Sequence, residues 1–138
     1  MNCYQLLEHT ADMGIEAQGE TPDALFRQMA LGLREIMTGC VDIGQQSEII
    51  VKVEGKCWED LLVNWLGELV FLLEARHFLP GEFSIEQLDE NRLVARVLGE
   101  IFDPARHYVD REIKAVTYHQ VRVEQNEDGW VAQVFVDL

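Results

Sequence analysis

The chain has 138 residues, of which 48% are apolar, and this length is typical of one domain with its own hydrophobic core. Its 11 lysines and arginines stand against 25 aspartates and glutamates, which gives a formal charge of −14. Because such a surface repels phosphate backbones, we expect no direct binding of nucleic acid, and a protein partner with a basic cleft instead. The chain lacks a secretory signal and any apolar stretch of the ~20 residues that a membrane span needs, so the sequence predicts a cytoplasmic protein.

No repeat, low-complexity tract or flexible linker interrupts residues 1–138, and the sequence predicts one domain over that range. The three cysteines, at positions 3, 40 and 57, form no Cys-x-x-Cys pair that would indicate zinc or redox chemistry. We therefore expect them to be small buried hydrophobic residues in a reducing compartment.

The N-terminal part predicts two strands and a helix. The first strand covers "CYQLL", and a second contains Ile15 and Ala17 and ends at Gly19. In "ETPDALFRQMALGLREIMTG", the threonine can cap a helix, the proline suits its first position and the final glycine suits its end. Apolar residues recur there at helical spacing. The polar "HTAD" segment would lie on the connection between the two strands.

The remaining elements follow in a β-rich order. "SEIIVKVEG" predicts a strand, and residues 58–76 predict a helix that is apolar on more than one face and therefore central. A hairpin of "FSIEQL" and "RLVARVLGEIF" comes next, then the loop "FDPARH", and then a hairpin that turns at "NEDG" and returns to the end of the chain. This order predicts an α+β fold with two helices packed on one mixed, mostly antiparallel sheet.

The first strand of the last hairpin contains two further candidate polar residues, Lys114 and His119. Its alternation predicts that the odd-numbered residues from 113 to 119 face one side of the sheet and the even-numbered ones the other. Lys114 and His119 are then either functional groups or simply solvent-facing side chains.

The final strand ends with Asp137 and Leu138, which supply a carboxylate and main-chain oxygens. If this strand returns beside "HTAD", Asp12 adds another carboxylate, and these hard oxygen donors suit Mg²⁺ or Ca²⁺. A simpler interpretation is that Asp12 and Asp137 cap turns while His9 is an ordinary half-buried histidine.

A metal-dependent hydrolase is a further alternative, in which His9, Asp12, His119 and Asp137 would build the site. The sequence contains no Gly-x-Ser-x-Gly elbow, no Walker loop and no Gly-x-Gly-x-x-Gly fingerprint. The usual nucleophile and nucleotide motifs are thus absent, but the spacing of the four residues does not decide between a hydrolase and a non-catalytic site.

Three motifs together closely resemble the archease family. They are "HTADMGIEAQG" with the following "TPDALF", "IKAVTYH" at residues 113–119, and the terminal "GWVAQVFVDL". The likeness runs from one end of the chain to the other, with the motifs in the family's order and distances, whereas residues 44–47 and 102–107 match no family motif.

The resemblance implies a small α+β protein that is not itself an enzyme. Archeases act as cofactors of the RtcB-type RNA-splicing ligase, which rejoins cleaved tRNA halves and repairs RNA. The resemblance implies that this protein promotes guanylylation of the ligase's own histidine, so that the ligase turns over repeatedly and does the bond chemistry itself.

The resemblance also implies a metal site, with calcium as the expected ion and magnesium as the alternative. Its ligands would be the side chains of Asp12 and Asp137 and the main-chain oxygen of Leu138. His9 would hold these ligands in position without binding the ion itself. Lys114 and His119 would contact either the ligands or the partner.

Overall fold

The first half of the chain forms a hairpin, a helix and a single strand. The structure is a computed structural model that describes residues 1–8, 11–39 and 42–138, so the candidate residue His9 lies outside the described residues. The elements are β1 (Cys3–Glu8), β2 (Asp12–Gly19), α1 (Pro22–Thr38) and β3 (Ser47–Glu54).

The second half contains one helix and five strands. The elements are α2 (Trp58–Arg76), β4 (Phe78–Leu88), β5 (Arg92–Ile101), β6 (Ala115–Val116), β7 (Arg122–Asn126) and β8 (Gly129–Asp137). Two helices and a majority of strands confirm the predicted α+β class.

The ends of α1 are set by local chemistry, as the sequence predicts. The hydroxyl of Thr21 accepts a hydrogen bond from the backbone N–H of Ala24 at 3.1 Å, and Pro22 occupies the first turn, where it sacrifices no helical bond. Gly39 ends the helix with a φ of 70°, in the half of backbone space that side chains disfavour, and its N–H donates to the carbonyl of Glu35 at 2.8 Å.

Helix α2 is the central element of the core, which confirms the prediction of a well-buried helix. Trp65 is fully buried, and its indole N–H donates to the backbone carbonyl of Phe26 in α1 at 3.1 Å, so the largest core side chain also ties the two helices together. Both helices contact strands of both sheets. In the part of the chain that the structure describes, neither helix is long and apolar enough to cross a membrane.

The strands form two sheets, and every strand pair in the described residues is antiparallel. One sheet has the order β1-β2-β8-β6, with β7 also paired to β8, and the other has the order β3-β5-β4. The prediction of one mixed sheet was therefore wrong, because the described strands form two sheets and both are antiparallel. The reason lies in α2: a helix that is apolar on several faces needs cover on more than one side, which a single sheet does not provide.

The first strand of the last hairpin is interrupted, so the predicted alternation over residues 113–119 was wrong. Val116 lies opposite Val136, and Arg122 lies opposite Gln133. Residues 117–121 therefore lie between two positions whose partners on β8 are separated only by residues 134 and 135. The extra residues form a turn in which the N–H of Val121 donates to the carbonyl of Tyr118 at 3.2 Å. The strand alternation therefore stops at this turn and does not continue to residue 119.

The cysteines are less buried than the sequence predicts. Cys3 is half-buried and unpaired. Cys57 is an exposed free thiol at the start of α2, so the prediction of burial was wrong there. Cys40 lies outside the described residues.

Candidate metal centre

Two of the predicted ligands, Asp12 and Asp137, lie directly opposite each other across the β2–β8 pair. In an antiparallel pair, opposed residues project to the same face with Cβ atoms about 4.5–5.5 Å apart. Like charges in this position repel each other, so binding of a cation between the two carboxylates would be favourable.

The pair projects to the face of the sheet opposite the helices. The next residues along the two strands, Met13 and Val136, are buried in the core, so the alternation of strand side chains sends Asp12 and Asp137 outward. Asp12 is half-buried and Asp137 is exposed, which leaves the carboxylates accessible from solvent.

Leu138 is held beside this pair by its main chain. Its N–H donates to the carbonyl of Ala11 at 3.4 Å, and the N–H of Lys114 donates to the carbonyl of Asp137 at 2.8 Å. The backbone around Asp137 is therefore fixed from both neighbouring strands. Lys114 reaches the candidate site through its main chain, while its side chain is exposed.

His119 lies on the same outer face, against Phe135. The two rings have centroids 5.8 Å apart, and Phe135 precedes Asp137 by two residues, about 7 Å along the strand. Phe135 also covers Gly14, where an added Cβ would come within 2.9 Å of the ring. Sequence patterning missed Phe135, since an aromatic residue in a terminal strand is normally assigned to the core.

The turn that carries His119 is connected to the start of α2. The hydroxyl of Tyr118 donates to Asp60 at 2.5 Å. This bond lowers the pKa of Asp60, helped by the backbone N–H of Lys56, and raises the pKa of Tyr118 above its ordinary range because ionised Tyr118 would lose the bond. Thr117, at the base of the turn, bonds the carbonyl of Phe135 through both its N–H and its hydroxyl, at 3.0 and 2.9 Å.

The donor set suits a hard cation. Carboxylates and main-chain carbonyls are the oxygen ligands that Ca²⁺ takes, and it completes six to eight positions with water where protein donors are few. Among residues 1–8, 11–39 and 42–138, no three acidic, histidine or cysteine side chains cluster as a metal site. A cation on Asp12 and Asp137 would therefore depend on main-chain oxygen and water as well.

A second acidic centre, which no sequence pattern indicates, surrounds Glu100. This side chain is only 4% exposed, yet it accepts hydrogen bonds from the N–H of Gly44 at 2.7 Å and from Arg106 at 3.0 Å, and Nε2 of His107 lies 3.2 Å away. Nδ1 of His107 accepts the N–H of Asp103, so Nε2 is the nitrogen that donates to the carboxylate. The Gly44 N–H, then His107 and Arg106, hold the pKa of Glu100 below its ordinary value despite burial.

Comparison with known proteins identifies relatives over the full chain. Residues 4–138 match the model of the Archease protein family (MTH1598/TM1083). The chain is 37% identical to the protein archease of Pyrococcus furiosus over 142 residues, which is 100% of both chains. It is 36% identical to the protein archease of Methanosarcina mazei over 139 residues, which covers 98% of this chain and 95% of the relative.

Solved structures share the fold. The solution structure of Methanobacterium thermoautotrophicum protein 1598 superimposes with a TM-score of 0.73 at 27% identity, covering 98% of each chain. A crystal structure from Thermotoga maritima, described as an archease and possible chaperone, gives a TM-score of 0.60 at 21% identity over 97% of this chain and 96% of that one. The second likeness concerns the fold alone.

Proposed function

Because this chain belongs to the archease family, we propose that it is a protein cofactor of an RtcB-type RNA ligase and not itself an enzyme. It would promote guanylylation of the ligase's own histidine and thereby allow repeated rounds of tRNA splicing and RNA repair. The ligase carries out bond formation, and this protein acts on the ligase's conformation.

The observation that carries the proposal is the opposed pair Asp12 and Asp137 within motifs that match the family from end to end. The formal charge of −14 supports a partner with a basic cleft, because opposite charges steer two proteins together.

A cofactor of this kind works by differential binding. It shifts its partner toward the guanylylation-competent conformation only if it binds that conformation more tightly than the other. In this proposal Asp12, Asp137 and the main-chain oxygen of Leu138 hold Ca²⁺, or Mg²⁺, and His9, Lys114 and His119 support the ligands or contact the ligase. The bound ion would neutralise the two carboxylates and fix the end of the β2–β8 pair.

Reconstitution tests the proposal. The protein is added below the ligase concentration to an RtcB-type ligase with GTP, Mn²⁺ and a cleaved RNA substrate, and ligations per ligase are counted alongside covalent ligase–GMP. We expect more than one ligation per ligase and faster formation of ligase–GMP. Equal yields with and without the protein contradict the proposal.

The alternative of a stand-alone metal-dependent hydrolase is tested with the same preparation. With divalent metal but no ligase, a hydrolase turns over phosphoester substrates, whereas a cofactor shows no turnover. If the wild type hydrolyses these substrates and the Asp12→Ala variant does not, the hydrolase alternative is correct and the cofactor proposal is wrong.

A further inference from the structure

Helix α2 presents an exposed ridge that the fold does not explain. Gly67, Phe71 and Glu74 follow one another at spacings of four and three residues, so they lie on one side of the helix. Phe71 is 52% exposed, although the rest of α2 is rich in buried apolar residues. A Cβ added at Gly67 would meet nothing within 4 Å.

Gly67 weakens the helix without any packing reason inside the molecule. Glycine in a helix interior is less stable than alanine, but its missing side chain leaves room for another backbone to come close. At Gly67 no described part of this chain comes close. The space beside it is a shallow groove that is also lined by Val53, Val116 and Glu68.

An apolar cavity opens next to the same ridge, at the C-terminal half of α2. Its volume is about 200 Å³, and apolar cavities of about 150 Å³ already accept a benzene-sized group. The segment 102–113 forms one wall of this cavity, and within that wall Val109 is 40% exposed. The apolar lining residues are Met37, Val70, Leu73, Phe102, Val109 and Ile113.

The rim of the cavity is acidic. Glu74 and Glu112 line it, both are exposed, and among the described residues neither side chain has a hydrogen-bond or ion-pair partner. Arg111 and His77 also line the cavity, and Arg111 is already paired with Glu8 at 2.9 Å. An occupant of this site therefore meets an apolar cavity whose unpaired charges, Glu74 and Glu112, are negative.

We propose that the ridge and the cavity form the surface on which the partner ligase docks, an inference that rests on the proposed function. The ligase inserts one apolar side chain, the size of leucine or phenylalanine, into the cavity, and lysines or arginines flanking it meet Glu74 and Glu112. A helix of the ligase lies along Gly67, where the missing side chain allows close approach, and against Phe71. This arrangement follows the usual anatomy of an interface, with an apolar centre and a charged rim.

A second copy of this chain is a poorer occupant for reasons of charge. Each copy has a formal charge of −14 and offers acidic residues at the rim, so two copies meeting at this face would place like charges together. A basic partner gains from the same rim.

Binding measurements on the full-length protein and the ligase test the inference. Phe71→Ser removes the exposed aromatic side chain and should weaken the Kd by roughly tenfold or more, as loss of a central aromatic contact does. Gly67→Leu blocks the close approach and should weaken binding similarly. Because leucine favours a helix more than glycine, this variant should melt no lower than the wild type, so weaker binding cannot be ascribed to unfolding.

A matched control is a solvent-facing residue of β3. Ile50 is 49% exposed on β3, nearly as exposed as Phe71, and Ile50→Ser should change the Kd by no more than about twofold. For the rim, the double variant Glu74→Lys and Glu112→Lys should weaken binding, whereas Glu127→Lys with a second reversal at Glu124 should have a much smaller effect. Both control glutamates are exposed on the β7–β8 hairpin.

The outcomes distinguish this inference from the proposed function. If the wild type neither binds nor activates the ligase, the proposed function fails and the inference with it. If the wild type activates the ligase and the Phe71 and Gly67 variants bind and activate equally well, the docking surface alone is wrong. If these variants instead abolish self-association measured by sedimentation, a second copy is the occupant and the inference is overturned.

Discussion

The acidic centre at Glu100 and the one at Asp12 and Asp137 differ in which groups surround their carboxylates. Glu100 is a buried carboxylate surrounded by donors from its own chain, namely Gly44, Arg106 and His107. Asp12 and Asp137 are two accessible carboxylates that the sheet register places against each other. The protein supplies cationic and N–H partners to the first centre, while the second holds two negative charges on one face.

The difference indicates which centre is structural and which is suited to bind something. A buried carboxylate with all its partners present joins the segment at Gly44 to the segment at residues 102–107, and it gains nothing from an added ligand. Opposed carboxylates at the surface repel each other and destabilise the folded state until a cation or a basic partner binds. Breaking each centre should therefore affect different measurements.

The largest expected effect is on ligase activation by variants of the accessible pair. Asp12→Ala or Asp137→Ala removes half of the carboxylate pair, and multiple-turnover ligation should fall by about tenfold or more, since loss of even an indirect partner of a metal ligand costs 10–100-fold. The fold should survive, because both side chains project away from the core, on the face opposite to buried Met13 and Val136. Glu127→Ala, which removes an exposed carboxylate from the β7–β8 turn, is the control and should activate normally. Full activation by both aspartate variants would assign the pair to the fold alone.

The next largest effect concerns stability at the buried centre. Glu100→Gln keeps the shape but removes the charge that Arg106 and the N–H groups stabilise, so its free energy of unfolding at pH 7 should fall clearly below that of the wild type. The control is Glu86→Gln, which removes an exposed carboxylate paired with Arg96 at 2.9 Å. A surface pair contributes about 0–1 kcal/mol, so this control should change little. Equal stability of both variants, measured by denaturant titration, would show that the buried contacts are unimportant.

The stability difference between the wild type and Glu100→Gln has a defined pH dependence. The pKa of folded Glu100 lies below the ordinary value of 4.5, so its stabilising contribution is complete above about that pH and disappears as the pH falls through the folded pKa. The stability difference between wild type and Glu100→Gln should thus be constant near neutrality and shrink in acid. A difference that grows below pH 4.5 would contradict the assigned direction.

A smaller effect is expected from calcium. An ion that binds only the folded state stabilises it by RT ln(1 + [L]/Kd), about 2.7 kcal/mol at a hundredfold excess over the Kd. Millimolar Ca²⁺ should therefore raise the melting temperature of the wild type and of Glu100→Gln by similar amounts, but not that of Asp12→Ala or Asp137→Ala. Melting curves with Ca²⁺ and with a chelator measure this. A wild type that does not respond to Ca²⁺ would return Asp12 and Asp137 to an ordinary role as polar residues at a strand end.

The smallest effect is the repulsion within the pair itself. In chelator, Asp12→Asn removes one of two like charges in a directly opposed position, where a cross-strand pair changes stability by roughly 0.2–1 kcal/mol. This variant should therefore be slightly more stable than the wild type without metal and less stable in saturating Ca²⁺. Urea unfolding under the two conditions measures both values, and the same sign of change in both would contradict the comparison.

The sequence by itself determined the elements whose signals are local. The cap at Thr21 and the glycine at position 39 end α1 where predicted, and the apolar run of residues 58–76 matches α2. Hydrogen bonds and side-chain contacts within a few residues set these ends, so they can be predicted without the rest of the chain. The family could also be identified from the sequence, because its motifs are distinctive and lie in order along the chain.

Only the tertiary structure decided which distant residues meet. The division into two sheets, the turn that places His119 over Phe135 and the partners of Glu100 all depend on contacts between segments far apart in the chain. The sequence suggested that Asp12 and Asp137 belong together, but the register that sets them face to face comes from the β2–β8 pairing. A shift of one residue would turn one carboxylate to the other face, and burial of Met13, Ile15 and Val136 in the core prevents that shift.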